Sequence, residues 1–341
     1  MKAAVWNGPC DLTIRDLPEL TPSAGEVLIQ TKAVGICGSD LEIYHGRFEE
    51  SEPPLILGHE EGGVIEATGA GVSKRKRGDK VIVEFLLYCG ECEYCTEKQY
   101  GLCDHGGVLG MIGAQGEYAE YFVAPEKNCY LLPEEISWRD AGLIDTLAGP
   151  IHGFNKIQVG ADGTVAVFGP GPAGLFFCQL AKLRGASRVY LIGTRDNRLE
   201  MGRKYGADLL LNVRGDNAED VIKEETGGRG VDIVVEAAGS DKALNEGLKV
   251  LKKAVVVLVY GVFGGGPVPV DVMPIKLFEF TVLGSCGLDY SSAIELIRSG
   301  AVPVRDLVSH TFTLEELVEV FSSGFIQERR NNYMKGVVLF E

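Results

Sequence analysis

Basic residues are scarce in this chain: 33 lysines and arginines stand against 48 acidic residues, a formal net charge of -15. A surface of that sign repels nucleic acid and anionic membranes, so neither is expected as a partner. The one basic cluster, Lys74 to Arg77, runs straight into Gly78 and Asp79 and reads as a solvated turn. Long apolar runs are missing too, since no stretch reaches the roughly 18 charge-free residues that a membrane helix needs. The opening MKAAVWNGPCDLTIRDL lacks the uninterrupted apolar core of an export signal, which makes the cytoplasm the expected address. Repeats and low-complexity tracts are absent as well. What is present is 341 residues with 45% hydrophobic content, more than one growing core accommodates, so two domains are expected.

Nine cysteines make an odd count that fits a disulfide framework poorly in a chain without an export signal. Four of them crowd into CGECEYCTEKQYGLC at 89–103. A redox CxxC pair would use two sulfurs and leave the others unexplained. Four thiolates on a turn-rich loop suit a tetrahedral ion, and zinc is its usual occupant, with a bridging disulfide and an iron–sulfur centre as the alternatives. Cys89, Cys92, Cys95 and Cys103 are therefore expected to hold a loop in shape rather than to react. His105, just beyond, is a competing ligand that Cys103 makes unnecessary. Cys10, Cys129, Cys178 and Cys286 read as buried small residues, with Cys286 also a candidate lining of a cofactor pocket.

Up to about residue 150 the chain reads as short strands and turns (KAAVW, DLTIRDL, EVLIQTKAVG, GGVIEATG, DKVIVE, EYAEYFV), a β-rich domain of barrel or sandwich kind. From about 160 the apolar runs TVAVFG, RVYLIG, DLLLNV, VDIVVEAAG, AVVVLVYG and FTVLGS alternate with helical segments such as 172–184, 197–205 and 242–251. Strands buried on both faces and separated by helices predict a parallel, doubly wound α/β sheet. Two helical stretches (291–298, 314–322) and a strand at 335–340 close the chain.

The first of those apolar strands runs into GPGPAG at 169–174 and then an amphipathic helix. Gly169 permits the tight turn, Gly171 lets a pyrophosphate approach the backbone, and Gly174 lets helix and strand pack closely, with Pro172 and Ala173 opening the helix. This is a dinucleotide loop. At the tip of the next strand stand Gly193, Thr194 and Arg195, where an NAD-binding unit normally presents an acidic residue. A glycine leaving room, a hydroxyl and a guanidinium favour the 2'-phosphate of NADP over NAD.

GICGSDLEIYHG at 35–46 and LGHEEGGVIEATG at 57–69 supply Cys37, His59 and Glu60, a sulfur, an imidazole and a carboxylate. Three such ligands leave zinc a fourth position for water or substrate, as catalytic sites require. Together, GICGSD, GHEEGG, the cysteine cluster, GPGPAG and LVYGVFGG at 258–265 resemble the zinc-containing medium-chain alcohol/polyol (sorbitol-like) dehydrogenase family over essentially the whole chain.

The resemblance implies a GroES-like β-rich catalytic domain at 1–152 and 288–341, with its structural zinc lobe at 89–103, and a Rossmann domain inserted at 153–287. It also implies an active site in the cleft between them, a homodimer or homotetramer, and one catalytic plus one structural zinc. The catalytic ligands fall on Cys37, His59 and Glu60. A further acidic ligand of the sorbitol-like branch falls on Asp145, in LIDTLAGPIHG, where Thr146 replaces a proline. Asp is a methylene shorter than Glu, so it reaches the ion either directly or through water. No cysteine stands there, which departs from the liver-type ethanol dehydrogenases.

Ser39 matches the hydroxyl that takes the proton of the alcohol, and it also reads as a helix N-cap. The relay beyond it falls to Glu42 or His45. Hydride is expected to pass to nicotinamide beside Val259, Tyr260, Gly261, Ser285 and Cys286. The substrate is expected to be a secondary alcohol of the polyol, sugar or cyclitol class, with Glu42, His45, Arg47, Glu84 and Asp289 able to engage extra hydroxyls. Simple aliphatic or amino alcohols are the runner-up, and a non-catalytic zinc- and dinucleotide-binding protein is the reading from another class.

Overall fold

The computed structural model describes residues 1–341 apart from 161, 265 and 329–331, so the last glycine of LVYGVFGG lies outside the described residues. The chain divides into two compact units, 1–148 with 287–341, and 149–286. Among the described residues no helix is long and apolar enough to cross a membrane.

The first unit is built on a seven-stranded, mostly antiparallel sheet whose central strand is Glu26–Gly35. Val27, Ile29 and Ala33 alternate inward with no exposure, the period-2 pattern that buries one face of a strand. Along one side this strand pairs with Glu60–Thr68, which brings Gly35 opposite Glu60. Along the other side it pairs with Lys335–Leu339, which places Val337 opposite Gly35. A strand from the far end of the sequence thus completes the sheet of the first half. Val27, Ile29, Ile65, Val81, Val83, Phe122 and Cys129 form the barrel-like core of this sheet.

The second unit carries six parallel strands: β1 (Thr164–Phe168), β2 (Arg188–Gly193), β3 (Leu209–Asn212), β4 (Val231–Glu236), β5 (Leu251–Val259) and β6 (Thr281–Gly284). Their order across the sheet is β3-β2-β1-β4-β5-β6. That order reverses direction at β1, the switch point at which doubly wound sheets leave a crevice for a dinucleotide. In β1, Val165, Ala166 and Val167 have no exposure, as strands covered on both faces require.

Two of the four lone cysteines correct the expectation of burial. Cys129 and Cys178 are buried, whereas Cys10 and Cys286 are exposed. Cys10 occupies the turn between the strands Lys2–Gly8 and Asp11–Asp16, with a positive φ of 61°. Cys286 lies in the loop after β6; turn positions face solvent regardless of how apolar the side chain is.

Candidate functional site

Cys37 follows the central strand and is the N-cap residue of the helix Gly38–Tyr44, while His59 and Glu60 stand where the neighbouring strand begins. The pairing of Gly35 with Glu60 brings these ends together. The Cys37 sulfur, a His59 nitrogen and a Glu60 oxygen all lie within 4.8 Å of one another. His59 and Glu60 are each 2% exposed. A sulfur, an imidazole and a carboxylate at that spacing are a donor set that fits a zinc ion with one position left open.

Asp40 fixes the imidazole. It has no exposure, and its carboxylate accepts the Tyr118 hydroxyl at 2.7 Å and the Cys37 amide at 2.9 Å. Its other oxygen lies 3.4 Å from His59 Nδ1, an ion-pair distance not aligned as a hydrogen bond. Nε2 is then the nitrogen left for a metal, the arrangement in which a carboxylate orients a histidine ligand. Burial pushes the His59 pKa down, but the Asp40 and Cys37 charges outweigh it and hold it well above the ordinary value. Burial raises Asp40, and His59, Tyr118 and the Cys37 amide together bring it below the usual carboxylate range. The capping spacing of Cys37 and Asp40 in GICGSD was a legible signal for this residue.

Lys335 donates to Glu60 Oε2, and both side chains are buried. Burial lowers the lysine's pKa, and Glu60 followed by Cys37 raises it further, so it stays charged. The other Glu60 oxygen accepts the Thr146 hydroxyl at 3.4 Å. Nothing local announces Lys335, which comes from a strand 275 residues away.

Ser39 is 6% exposed, and its hydroxyl lies 3.4 Å from His59 Nε2. It is not the helix cap that sequence suggested; Cys37 holds that position. Glu42 and His45 do not reach Ser39. Glu42 faces Arg47 at 3.4 Å, and His45 contacts the Cys10 sulfur at 3.5 Å and the Gln327 amide at 3.3 Å. His45 is the C-cap of the short helix.

Asp145 falls outside the three-ligand group. Instead it accepts the buried Tyr290 hydroxyl at 2.6 Å. Burial first, and then the Glu60 charge, push it up to about 7 against the opposing pull of His59 and Tyr290. Tyr290 stacks on Tyr130 with centroids 5.3 Å apart, and Tyr130 donates to the buried Glu84 at 2.8 Å. Asp289 caps the helix Tyr290–Arg298 by accepting the Ser292 amide. Glu84 and Asp289 are thus held by neighbours of their own.

In the cysteine lobe all four sulfurs lie within 4.8 Å of one another. Cys89 is 3.6 Å from Cys103 and 3.9 Å from Cys95, and Cys92 is 3.8 Å from Cys103. A disulfide needs about 2.05 Å, and all nine cysteines are free, so the bridging alternative is excluded. Four sulfurs about 2.3 Å from a tetrahedral ion stand about 3.8 Å apart. The Glu91 and Cys92 amides donate to Cys89 and bring its thiol down to about 6. Burial pushes Cys95 up to about 12.

In the second unit Gly169 has φ 117° and Gly174 a Cα whose Cβ would stand 1.8 Å from the Gly169 carbonyl, so neither accepts a side chain. Gly171, the N-cap of the helix Pro172–Leu183, faces open space. The loop therefore exposes backbone at a helix N-terminus, with room for an anion. Gly193 has a different reason for being glycine: a Cβ there would stand 2.5 Å from Pro170, so its missing side chain serves loop packing. Thr194 is exposed and Arg195 half-buried. Burial and then the charge of Arg214 push the Arg195 pKa down. Val259 ends β5 beside Gly284 of β6, which puts Val259–Gly261 and Ser285–Cys286 at the carboxyl ends of adjacent strands. A cavity of about 260 Å³ lined by Thr164, Arg188, Glu225, Arg229 and Lys252 lies at the opposite, amino edge of the sheet, away from the end at which such sheets bind cofactors.

Two family models match the chain: the alcohol dehydrogenase GroES-like domain over residues 23–134 and the zinc-binding dehydrogenase over 172–299. A D-arabitol-phosphate dehydrogenase of Enterococcus avium is 35% identical over 311 residues, 89% of this chain and 88% of its own. A sorbitol dehydrogenase of Bacillus subtilis (strain 168) is 35% identical over 321 residues, 93% and 91%. A solved structure from Sinorhizobium meliloti 1021, described as a zinc-binding dehydrogenase bound to NADP, superposes with a TM-score of 0.91 at 27% identity over 99% of each chain. One from E. coli CFT073, described as a short chain alcohol dehydrogenase complexed with NADH, gives 0.91 at 29% over 100% and 99%. A GroES-like unit with a three-ligand metal set and a Rossmann unit with an open glycine loop define an alcohol oxidoreductase. The chain belongs to the zinc-containing medium-chain alcohol and polyol dehydrogenase family. It is an enzyme with a small-molecule alcohol substrate, a nicotinamide cofactor and zinc, which sets aside the non-catalytic alternative.

Proposed function

We propose that this enzyme transfers hydride between a secondary alcohol of the polyol, sugar or cyclitol class and NADP(H), with one catalytic and one structural zinc. The observation that carries the reading is the convergence of Cys37, His59 and Glu60 within 4.8 Å beside the Ser39 hydroxyl. Cys37 as thiolate and Glu60 as carboxylate balance the charge of a divalent ion, and Asp40 orients His59 toward it. A zinc ion there supplies Lewis acidity that lowers the pKa of an alcohol, and the nicotinamide ring supplies the hydride acceptor or donor. Ser39 takes the alcohol proton at its Oγ. Lys335 holds one Glu60 oxygen, and Asp145, already held by Tyr290, serves outside the direct ligand set. Cys89, Cys92, Cys95 and Cys103 hold the second zinc at the sulfur spacing described.

NADP over NAD rests on Arg195 just past the β2 tip, half-buried, with Thr194 exposed beside it. Polyols rest on the relatives named for arabitol phosphate and sorbitol and on the carboxylate ligand Glu60. Steady-state kinetics with a polyol panel and both cofactors tests the two together. NADP⁺ is expected to be favoured, and Arg195→Ala to lower that preference roughly 10- to 100-fold, the size of a lost charge-assisted contact. Faster turnover of short secondary or amino alcohols than of any polyol makes the runner-up substrate class correct.

The assembly is read as a homodimer or homotetramer. Edge strand β6 and the helix Val272–Leu277 leave Val272, Met273, Leu277 and Val282 exposed by 64, 53, 62 and 48%, a face of the kind that a second subunit covers. Light scattering is expected to give twice or four times the 36.8 kDa chain mass, and a monomer mass removes this reading. Nine free cysteines fit a reducing cytoplasm, which cell fractionation checks.

A further inference from the structure

Three polar side chains with no part in the hydride transfer above meet at the surface of the first unit. Cys10 lies in the turn between the strands Lys2–Gly8 and Asp11–Asp16. His45 ends the helix Gly38–Tyr44, and Gln327 follows the helix Leu314–Ser322. The Cys10 sulfur stands 3.5 Å from His45 Nδ1, and the Gln327 side-chain amide stands 3.3 Å from Nε2. Each ring nitrogen therefore has its own partner.

Backbone contacts fix this meeting. The Cys10 amide donates to the Tyr44 carbonyl at 2.7 Å, and the Tyr44 hydroxyl donates back to the Cys10 carbonyl at 3.2 Å. A Cβ on Gly46 would stand 2.6 Å from Pro9, so the turn rests directly on the end of the helix. The His45 ring packs edge-on against Tyr44 with centroids 5.1 Å apart, and the Gln327 backbone amide donates to the Gly324 carbonyl at 3.0 Å. Cys10 and Gln327 are exposed and His45 is half-buried. A small molecule reaches the sulfur from solvent.

A thiol attacks as its thiolate, and an imidazole within hydrogen-bond reach that takes the proton is one means of producing it. A side-chain amide on the far ring nitrogen suits that exchange, because a half-turn presents its nitrogen to the neutral ring or its oxygen to the protonated one. Nucleophile, base and orienting group thus stand in sequence. Cys10 is a free thiol and the partner of its sulfur is a histidine, so an oxidising partner has to come from outside the chain.

We propose that Cys10 is a modification site that forms a mixed disulfide with a low-molecular-mass disulfide of the glutathione type. His45 Nδ1 takes the thiol proton, and the Cys10 sulfur attacks one sulfur of the small disulfide. A new S–S bond forms to Cys10 as the old one breaks; the leaving thiolate recovers the proton from Nδ1 and departs as a free thiol. Cys10 is oxidised and the departing half is reduced. Excess thiol reverses the exchange.

The test adds oxidised glutathione to the zinc-loaded enzyme, follows the adduct by intact mass and locates it by peptide mapping. One glutathionyl group per chain is expected on Cys10, removable by dithiothreitol, with zinc content unchanged. Cys10→Ser should abolish that adduct and leave turnover as it was. His45→Asn should slow the modification roughly 10-fold, the size of a lost charge-assisted hydrogen bond. In that variant the other exposed thiol, Cys286, should keep its own rate, which reports an intact fold. Equal Cys10 rates in wild type and His45→Asn overturn the proposal. Should His45→Asn fail to fold, Gln327→Ala takes its place: a Cys10 rate about 2- to 10-fold slower, one neutral hydrogen bond, supports the assignment and an unchanged rate sinks it. Wild-type enzyme modified at Cys286 or within 89–103 but not at Cys10 also overturns it.

Discussion

Cys37→Ser is expected to lower kcat/KM about 1000-fold or more while NADPH binding, read by its fluorescence, persists. A thousandfold corresponds to about 4 kcal/mol, the scale of stabilisation that a Lewis-acidic ion supplies to a developing negative charge. Serine is a poor zinc ligand, and its loss leaves His59 and Glu60, the latter already engaged by Lys335. Zinc should fall from two to one per chain. Asp40→Asn should be milder, roughly 10- to 100-fold, because it removes the orienting charge on His59 and keeps the ligand. If NADPH binding disappears together with turnover in Cys37→Ser, the residue supports the structure and the metal assignment is wrong.

Cys103→Ser should act on stability rather than on chemistry. Cys103 lies 3.6 Å from Cys89 and 3.8 Å from Cys92, and its loss removes one of the four sulfurs gathered there. Structural zinc contributes folding free energy directly. A loss of about 4 kcal/mol corresponds to a Tm lower by about 10 °C at this domain size. Limited proteolysis is expected to cut first within 89–103, and the remaining zinc should be the one that supports turnover. An unchanged Tm with full zinc content would falsify the four-sulfur site.

The two metal sets differ in how far their sequence exposes them. The lobe is local: its four sulfurs fall within fifteen consecutive positions, and a short loop can fold only around what it contains. The glycine loop is local for the same reason, because Gly169 and Gly174 answer to steric demands of a single strand, turn and helix. Gly193 shows the limit of that reading. Its space was assigned to a phosphate, yet Pro170 of the neighbouring loop fills it. Glu42 and His45 fell short likewise, since sequence spacing places residues on a helix but does not say that Arg47, Cys10 and Gln327 will claim them.

Period, turn chemistry and residue spacing, all properties of neighbouring residues, determined from sequence alone the α/β class, the parallel sheet, the glycine loop at a helix N-terminus and the candidate donor sets that the fold gathers. Tertiary structure alone decided that Lys335 meets Glu60, that Tyr290 takes Asp145 and that Tyr118 secures Asp40. The reason is that a strand's hydrogen-bonded neighbours come from anywhere in the chain: Gly35 lies between Glu60 on one side and Val337 on the other, and only the closed sheet brings those three segments to one place.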